Sequence, residues 1–271
     1  MKTEKYTLIT GASTGLGKQF AFECAKLGRN LILTALSDEG IKKLGEEISI
    51  EFGVKVQTFE TNLTKDGAAK RLSLDISKKF EINMLINNAG VGGTLPFLEA
   101  TPDYIDQIVL LNIRAMVLLT RLLLPILKRH KKAHILNISS MASFGPMPFK
   151  TVYPASKAFV YSFSRGLGAE LKGSGVVVSV AHPGGMKTNA EVSLRIEKHS
   201  RIIQATTLSA QKVAQICIRR LLKNDKLIIP GFMNKVSWLL LKIIPVWLRL
   251  IIMRSSLQNE LKESKQIIQV A

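Results

Sequence analysis

Seven short runs of aliphatic and β-branched residues recur along the chain, at 6–10, 30–35, 55–60, 84–87, 133–139, 176–182 and 226–229. Between them lie stretches with apolar residues at helical spacing, at 15–27, 38–52, 66–79, 103–130, 153–172 and 209–223. Strands that follow one another through a helix must cross over a sheet face and come back parallel. The alternation therefore predicts an α/β fold: a doubly wound, seven-stranded parallel sheet with helices on both faces. No internal repeat, low-complexity tract or long Pro/Gly/Ser linker divides it, so residues 1–231 are expected to form one domain. Residues 184–208 break the rhythm, and an irregular insertion after a strand end is expected to be a substrate flap.

The chain has 271 residues, 46% of them hydrophobic, which is enough apolar surface to offset the entropy of folding and excludes a disordered class. Its two cysteines, Cys24 and Cys217, are too few for a disulfide framework, which points to a reducing, cytoplasmic compartment. The start, MKTEKYTLITGAS, has too short an apolar run for a signal peptide. The net charge of +18 is uneven. Residues 1–186 carry 23 basic and 15 acidic side chains, for +8; residues 187–271 carry 15 and 5, for +10. The one dense basic run, residues 128–132, contains no aromatic residue to stack on a base. It falls where a long helix ends, and cations there offset the negative end of the helix dipole. Nucleic acid is therefore not an expected partner.

The first run leads directly into Thr10-Gly11-Ala12-Ser13-Thr14-Gly15-Leu16-Gly17 and then a helical pattern. Glycines in that position let backbone amides approach a pyrophosphate, and the helix N-terminus adds positive potential. The spacing is Gly-x3-Gly-x-Gly, not the Gly-x-Gly-x-x-Gly of long-chain dinucleotide enzymes.

With five further motifs in order, the chain resembles the short-chain dehydrogenase/reductase family over residues 5 to about 230. These are NNAG at 87–90, Asn112 in LLNIRA, Ser140 in NISSMAS, the Tyr153–Lys157 pair in YPASK, and PGGMKT at 183–188. The resemblance implies a Rossmann-type fold and a nicotinamide dinucleotide. It implies cofactor contacts from Gly11, Ser13, Thr14, Gly15, Leu16 and Gly17 in the turn, and from Leu36, Ser37, Asn62 and Leu63 after the second and third strands. Asn88, Ala89 and Gly90 would border the adenosine half, with Pro183, Gly184, Met186 and Thr188 beside the nicotinamide. Family members that prefer NAD end the second strand with an acid, where this chain has Ala35. Those that prefer NADP often place an arginine one residue on, where it has Leu36. Lacking the acid and having Ser37 as a donor, the chain is expected to prefer NADP, with NAD the alternative. Asn62 replaces an Asp that contacts the adenine, and its side-chain oxygen can accept the same bond.

Tyr153 and Lys157 are four apart and share a helix face. Moving hydride to or from a carbonyl carbon requires a proton at its oxygen. A free tyrosine titrates near pH ~10, and lowering that by three units needs about 4 kcal/mol from a neighbouring cation. The expectation is that Lys157 supplies it, so that Tyr153 serves as acid in reduction and base in oxidation, while Lys157 also holds the nicotinamide ribose. Ser140 would polarise the substrate oxygen. The resemblance implies that Asn112 helps hold a water relaying protons to the lysine; Ser139 is assigned a structural role. The enoyl-reductase branch sets its Tyr and Lys seven apart, unlike this pair. His130 and His134 straddle a predicted helix-to-strand boundary and share no helix face, so no metal site is expected. His182, before the Pro183-Gly184 turn, is expected to pack there.

The loops after strands four to six carry Val91, Gly92, Leu95, Met141, Phe144, Met147, Phe149 and Met186. Together with Ser140 and Tyr153 they predict a lipophilic pocket. The resemblance is to the branch of ketoacyl reductases and hydroxysteroid dehydrogenases, which implies a 3-oxoacyl thioester or a steroid-like ketone as substrate. The other reading is a catalytically silent binding or scaffold protein with this fold. Residues 232–271 are expected to form a basic, apolar helical extension, and 236–253 would be about 27 Å long as one helix. Lys235, Lys242 and Arg249 recur at sevens along one face of it. The favoured expectation is peripheral association with an anionic inner membrane surface through 232–254; a pocket lid, a subunit contact or a true span are the alternatives. A homodimer or homotetramer is expected through the 103–130 and 153–172 helices.

Overall fold

The computed structural model describes residues 4–37, 39–187, 207–255 and 257–258. Its sheet has seven parallel strands in the order β3-β2-β1-β4-β5-β6-β9. In chain order these are β1 (Lys5–Thr10), β2 (Asn30–Ala35), β3 (Val56–Glu60), β4 (Glu81–Asn87), β5 (Ala133–Ile138), β6 (Val176–Ala181) and β9 (Leu227–Ile228). The chain winds outward from β1 to β3, then restarts on the other side of β1 with β4. A crevice therefore opens at the strands' carboxyl ends between β1 and β4, where the winding direction reverses.

Successive strand residues point to opposite faces, and both faces are dry. Ile9, Leu33 and Ile86 pack with Phe20 and Cys24 of α1 (Gly15–Lys26) and with Cys217 of α7 (Ala210–Leu222). Leu8, Ile32 and Leu85 pack on the other face, against Leu72 of α3 (Ala68–Lys79) and Leu123 of α5 (Met116–Leu127). Each of these side chains, fully withdrawn from water, contributes about 1.5–3 kcal/mol. Both thiols are buried, which pushes Cys24 up to about 12 and raises Cys217 as well.

Most elements fall where the residue pattern puts them, and the differences have local causes. Helix α2 (Ile41–Phe52) begins after Gly40, and α3 after Gly67, rather than two or three residues earlier. The stretch expected as one helix over 103–130 is α4 (Pro102–Val109), a π-helical turn (Leu110–Ala115) and α5. Helix α5 ends at Leu127, so the basic run 128–132 does sit at its carboxyl end. After α6 (Val152–Glu170) and β6, two-residue strands β7 (Met186–Lys187) and β8 (Leu208–Ser209) pair in parallel at the base of the irregular region. Residues 188–206 of the expected flap lie outside the described residues.

The extension is not one rod. Helix α8 (Phe232–Ile243) stops where Ile244 turns extended before Pro245, a residue that disfavours helix in its predecessor, and helix resumes over 246–255. Each piece is about 15–18 Å long, too short for a hydrocarbon core of ~30 Å. Among the described residues, the helical stretch long and apolar enough to cross a membrane is Pro102–Leu127, whose α5 part packs into the core.

Candidate active site

A cavity of about 620 Å³ runs along the crevice from the glycine turn to Tyr153. At the near end Thr14 caps α1 with no side-chain bond, and the first turn holds no acid, so the helix's leading N–H groups are left for an outside anion. The turn is braced from β4. Asn88 Nδ2 donates to the carbonyls of Thr10 and Gly11, both at 3.0 Å, and Thr10 Oγ1 accepts from the amides of Asn88 and Ala89. A Cβ on Gly17 would stand 1.9 Å from the Gly11 carbonyl oxygen. That glycine lets α1 close onto the turn and does not line the cavity, unlike Gly11, Ser13, Thr14, Gly15 and Leu16. The structure thus fits a dinucleotide pyrophosphate: a helix end without a side-chain cap opens on the cavity beside the glycine turn.

At the far end Tyr153 and Lys157 project from the first turns of α6, and Ser140 caps the 3-10 turn Met141–Phe144 after β5. Ser140 Oγ accepts from the Ala142 amide at 3.1 Å and bonds the Tyr153 hydroxyl. Burial raises the Tyr153 pKa above its usual value, and the Ser140 bond opposes it without overcoming it. Lys157 does not supply the lowering expected of it. Lys157 Nζ is 5.8 Å from the phenol ring centre and donates to the Ile138 carbonyl at 3.0 Å. Burial brings the lysine itself down to about 8. Gly92 is required beside this pair, since a Cβ there would stand 2.2 Å from Tyr153 Cδ2.

Asn112 lies inside the π-helical turn, fully buried. Its Oδ1 accepts from the Val91 amide, and its Nδ2 donates to the Val91 carbonyl and to Ser156 Oγ, all at 2.9–3.0 Å. Its side chain therefore clamps the loop after β4 to α6. Asn87 is structural: its Nδ2 donates to Thr120 Oγ1 and Asn137 Oδ1, and Asn137 Nδ2 reaches Ser164 Oγ. Ser139 Oγ donates to the Lys157 carbonyl, holding α6 against β5.

Several assigned residues lie elsewhere. Leu36, Asn62, Leu63, Asn88, Ala89, Gly90, Pro183, Gly184 and Met186 line the cavity, whereas Ser37 is exposed outside it. Asn62 Oδ1, expected to receive the adenine, already accepts from the Thr64 amide and hydroxyl. Thr188 lies outside the described residues. Met141, Phe144 and Met147, expected in the substrate wall, do not line the cavity either. Phe144 stacks on His182 at 4.4 Å and meets Tyr161 and Trp238 edge-on or tilted, and its carbonyl accepts from Arg249 Nη1 at 2.8 Å. Burial holds His182 neutral, down to about 4, so its Nδ1 is the donor to the Ser140 carbonyl at 3.1 Å. The C-terminal helices thus rest on the turn that carries Ser140.

Residue pattern missed Glu39, Gln107 and Leu111, all of which line the cavity. Ser13 Oγ donates to the Glu39 carboxylate at the glycine-turn end of the cavity. Glu39 had a sequence signal, an acid 22 residues after Gly17, but it stands beyond the strand-end position where an acid is sought. Among the described residues, no group of three or more His, Cys, Asp or Glu side chains converges as a metal site. His130 reaches Glu81 at 3.5 Å, while His134 is buried in β5.

This sheet order, the glycine turn on α1 and the Ser140–Tyr153–Lys157 cluster define a dinucleotide-dependent short-chain fold, and the chain belongs to the short chain dehydrogenase family, whose model matches residues 5–199. It is 36% identical over 183 residues to the very-long-chain 3-oxoacyl-CoA reductase of Anas platyrhynchos, covering 66% of this chain and 58% of that one. It is 36% identical over 187 residues to the 17-beta-hydroxysteroid dehydrogenase type 3 of Homo sapiens, covering 68% and 60%. The chain therefore spans about three fifths of the length of these relatives. Among solved structures, a short-chain dehydrogenase from Sphingobium yanoikuyae in complex with NADPH superposes with a TM-score of 0.76 at 27% identity, covering 88% of this chain and 92% of that one. The bulky-bulky ketone specific alcohol dehydrogenase from Comamonas testosteroni shares the fold, with a TM-score of 0.76 at 24% identity, covering 100% and 95%.

Proposed function

We propose that this protein is an NAD(P)(H)-dependent oxidoreductase interconverting a lipophilic ketone and its alcohol. The observation that carries the reading is the meeting of Ser140, Tyr153 and Lys157 at one end of a cavity whose other end is an anion-ready helix terminus. The glycine turn and α1 hold the pyrophosphate, and Lys157 with Pro183, Gly184 and Met186 borders the nicotinamide half. The bound nicotinamide supplies or accepts the hydride. The chain's own residues do the rest. Ser140 Oγ donates to the substrate oxygen in place of the phenol it now bonds, and polarises the carbonyl. Tyr153, kept protonated by burial, gives its hydroxyl proton to that oxygen in reduction; in oxidation the phenolate takes it back.

The substrate class rests on the cavity's apolar wall near Tyr153, where Val91, Gly92 and Leu111 stand, and on the names of the relatives, a 3-oxoacyl-CoA reductase and a hydroxysteroid dehydrogenase. A 3-oxoacyl thioester or a steroid-like ketone satisfies both. A panel of such carbonyls with NADH and NADPH tests the reading. Turnover that is lost in Tyr153→Phe is the expected result. Equal inertness of wild type and variant with dinucleotide still bound would replace it with a silent binding protein.

The C-terminal helices leave Phe232, Leu239, Ile243, Trp247 and Ile251 exposed, with Lys235, Lys242 and Arg254 exposed beside them. Arg249, expected in the outward stripe, instead turns in to Phe144. This surface suits peripheral contact with an anionic bilayer, placing the cavity near a lipid substrate. Flotation with anionic vesicles, but not neutral ones, is expected for wild type and is lost on Trp247→Ser with Ile251→Ser. The exposed Phe159, stacked on Phe163 of α6, supports self-association through that helix.

A further inference from the structure

Ser140 stands at the head of the 3-10 turn Met141–Phe144, and so short a 3-10 segment has poor hydrogen-bond geometry of its own. Within it, the Ser143 amide and hydroxyl donate to the Ser140 carbonyl at 3.0 and 2.7 Å. Further support comes from outside. The Met141 amide donates to the Pro183 carbonyl at 2.9 Å, and His182 Nδ1 lies 3.1 Å from the Ser140 carbonyl. His182 is itself held on several sides. Its amide donates to the Ile228 carbonyl at 2.8 Å, and its ring stacks on Phe144 and meets Tyr161 edge-on.

Phe144, the last residue of the turn, is held from the C-terminal helices. Arg249 Nη1 donates to its carbonyl at 2.8 Å, a charge-assisted bond. Trp238 lies 6.2 Å from its ring, with the Lys242 ammonium 3.9 Å from the indole centre. The approach of the guanidinium depends on Gly145, where a Cβ would stand 3.1 Å from the same Nη1. The two partners are 105 residues apart, so chain connectivity does not bring them together. Arg249 also holds this position at a cost, since its Nε is buried with no partner among the described residues. Lys235 and Lys242, seven and fourteen residues before it on the same stripe, are exposed, whereas Arg249 is half-buried.

Resting on the oxidoreductase reading, we infer that Arg249 is a positioning residue for Ser140, acting from the C-terminal extension through Phe144 and His182. Its bond keeps the Phe144 ring stacked on His182, and His182 keeps the Ser140 carbonyl in place. With the turn fixed at both ends, Ser140 Oγ stays where it accepts from the Ala142 amide and bonds the Tyr153 hydroxyl. From there the hydroxyl can polarise a substrate carbonyl, and a misplacement of ~1 Å can cost up to about 10²-fold. Arg249 does not line the cavity, so its effect on the reaction passes through the turn.

Double-mutant kinetics on the full chain, in single turnover at high enzyme concentration with a carbonyl that wild type reduces, test this. Arg249→Met is expected to slow the chemical step about tenfold, with KM for the carbonyl and Kd for the dinucleotide within about twofold of wild type. Arg249→Lys, which restores a donor, should come within about threefold of wild type. Gly145→Ala, which crowds the guanidinium without removing it, should slow the step by about threefold. In a Ser140→Ala background no hydroxyl is left to position, and Arg249→Met should add less than about twofold to the loss. A full tenfold loss in that background overturns the inference, as does an unchanged rate in Arg249→Met or a loss carried by KM or dinucleotide affinity. Each of those results leaves the oxidoreductase reading standing. If circular dichroism shows that Arg249→Met does not fold, Arg249→Lys and Gly145→Ala in both backgrounds decide in its place. Wild type that reduces no carbonyl overturns the inference together with the oxidoreductase reading.

Discussion

The two ends of the cavity are built from opposite materials. The Tyr153 end is buried, holds a lysine ammonium 5.8 Å from the phenol ring, and is clamped by Asn112 between the loop after β4 and α6. The Glu39 end is open, carries a carboxylate bonded to a serine, and depends on backbone amides rather than side chains for its grip. Burial makes one end a place where a proton has a defined owner. Exposure and unsatisfied helix N–H groups make the other a place where an anion can dock. Substitutions at the buried end should therefore change turnover, and substitutions at the open end should change mainly dinucleotide affinity.

The largest expected effect is from Tyr153→Phe, which removes the proton donor and should lower kcat/KM by roughly 10³-fold, within the range for general acid–base groups. An equal loss with NADH and NADPH is the result that keeps the two ends separate; steady-state kinetics with both would show it. Gly92→Ala comes next. Its Cβ, 2.2 Å from the Tyr153 ring, must push the phenol aside, and a misplacement of ~1 Å can cost up to about 10²-fold. Dinucleotide affinity should be nearly unchanged in the same variant, as titration would verify.

Lys157→Met has a pH signature. The folded-state lysine titrates near about 8 against an ordinary value of 10.5, so its buried ammonium disfavours folding below about pH 8. Between about 8 and 10.5 the unfolded chain holds the proton that the folded chain has released, and stability rises with pH. The variant should be more stable than wild type at neutral pH, by at most about 3 kcal/mol, with the gap closing across that window in chemical denaturation. For catalysis, kcat/KM for alcohol oxidation should rise above neutral pH as Tyr153 ionises, because burial holds its phenol above the usual range. Reduction should instead weaken as the same phenol ionises and loses the proton it must donate. The smallest effect belongs to Trp238→Ala, at the contact between α8 and Phe144. A loss of about threefold in kcat through a looser Ser140 turn would show that the C-terminal helices support the buried end.

The parts of the molecule that were legible in the sequence are those written locally. The strand–helix rhythm, the glycine turn before α1 and the four-residue step from Tyr153 to Lys157 each depend on a few adjacent residues, and the structure assembles them in order. What was not legible depends on distant packing. Phe144 looked like a pocket residue from its place after β5, but Arg249 and Trp238, about a hundred residues away, draw it out of the cavity. The π-helical turn around Asn112 has no marker in an apolar run that reads as a continuous helix. Glu39 was hidden for another reason: its acid sits a few residues beyond the strand end, and only the Ser13 bond brings it onto the cavity wall.

Hydride transfer itself can be followed with reduced dinucleotide carrying deuterium at the transferable nicotinamide position and a lipophilic 3-oxoacyl thioester or steroid ketone as acceptor. Mass spectrometry of the alcohol should find the deuterium on the carbinol carbon with wild type, and roughly 10³-fold slower product formation with Tyr153→Phe. A product without deuterium, or labelled product formed equally by the variant, would contradict the account.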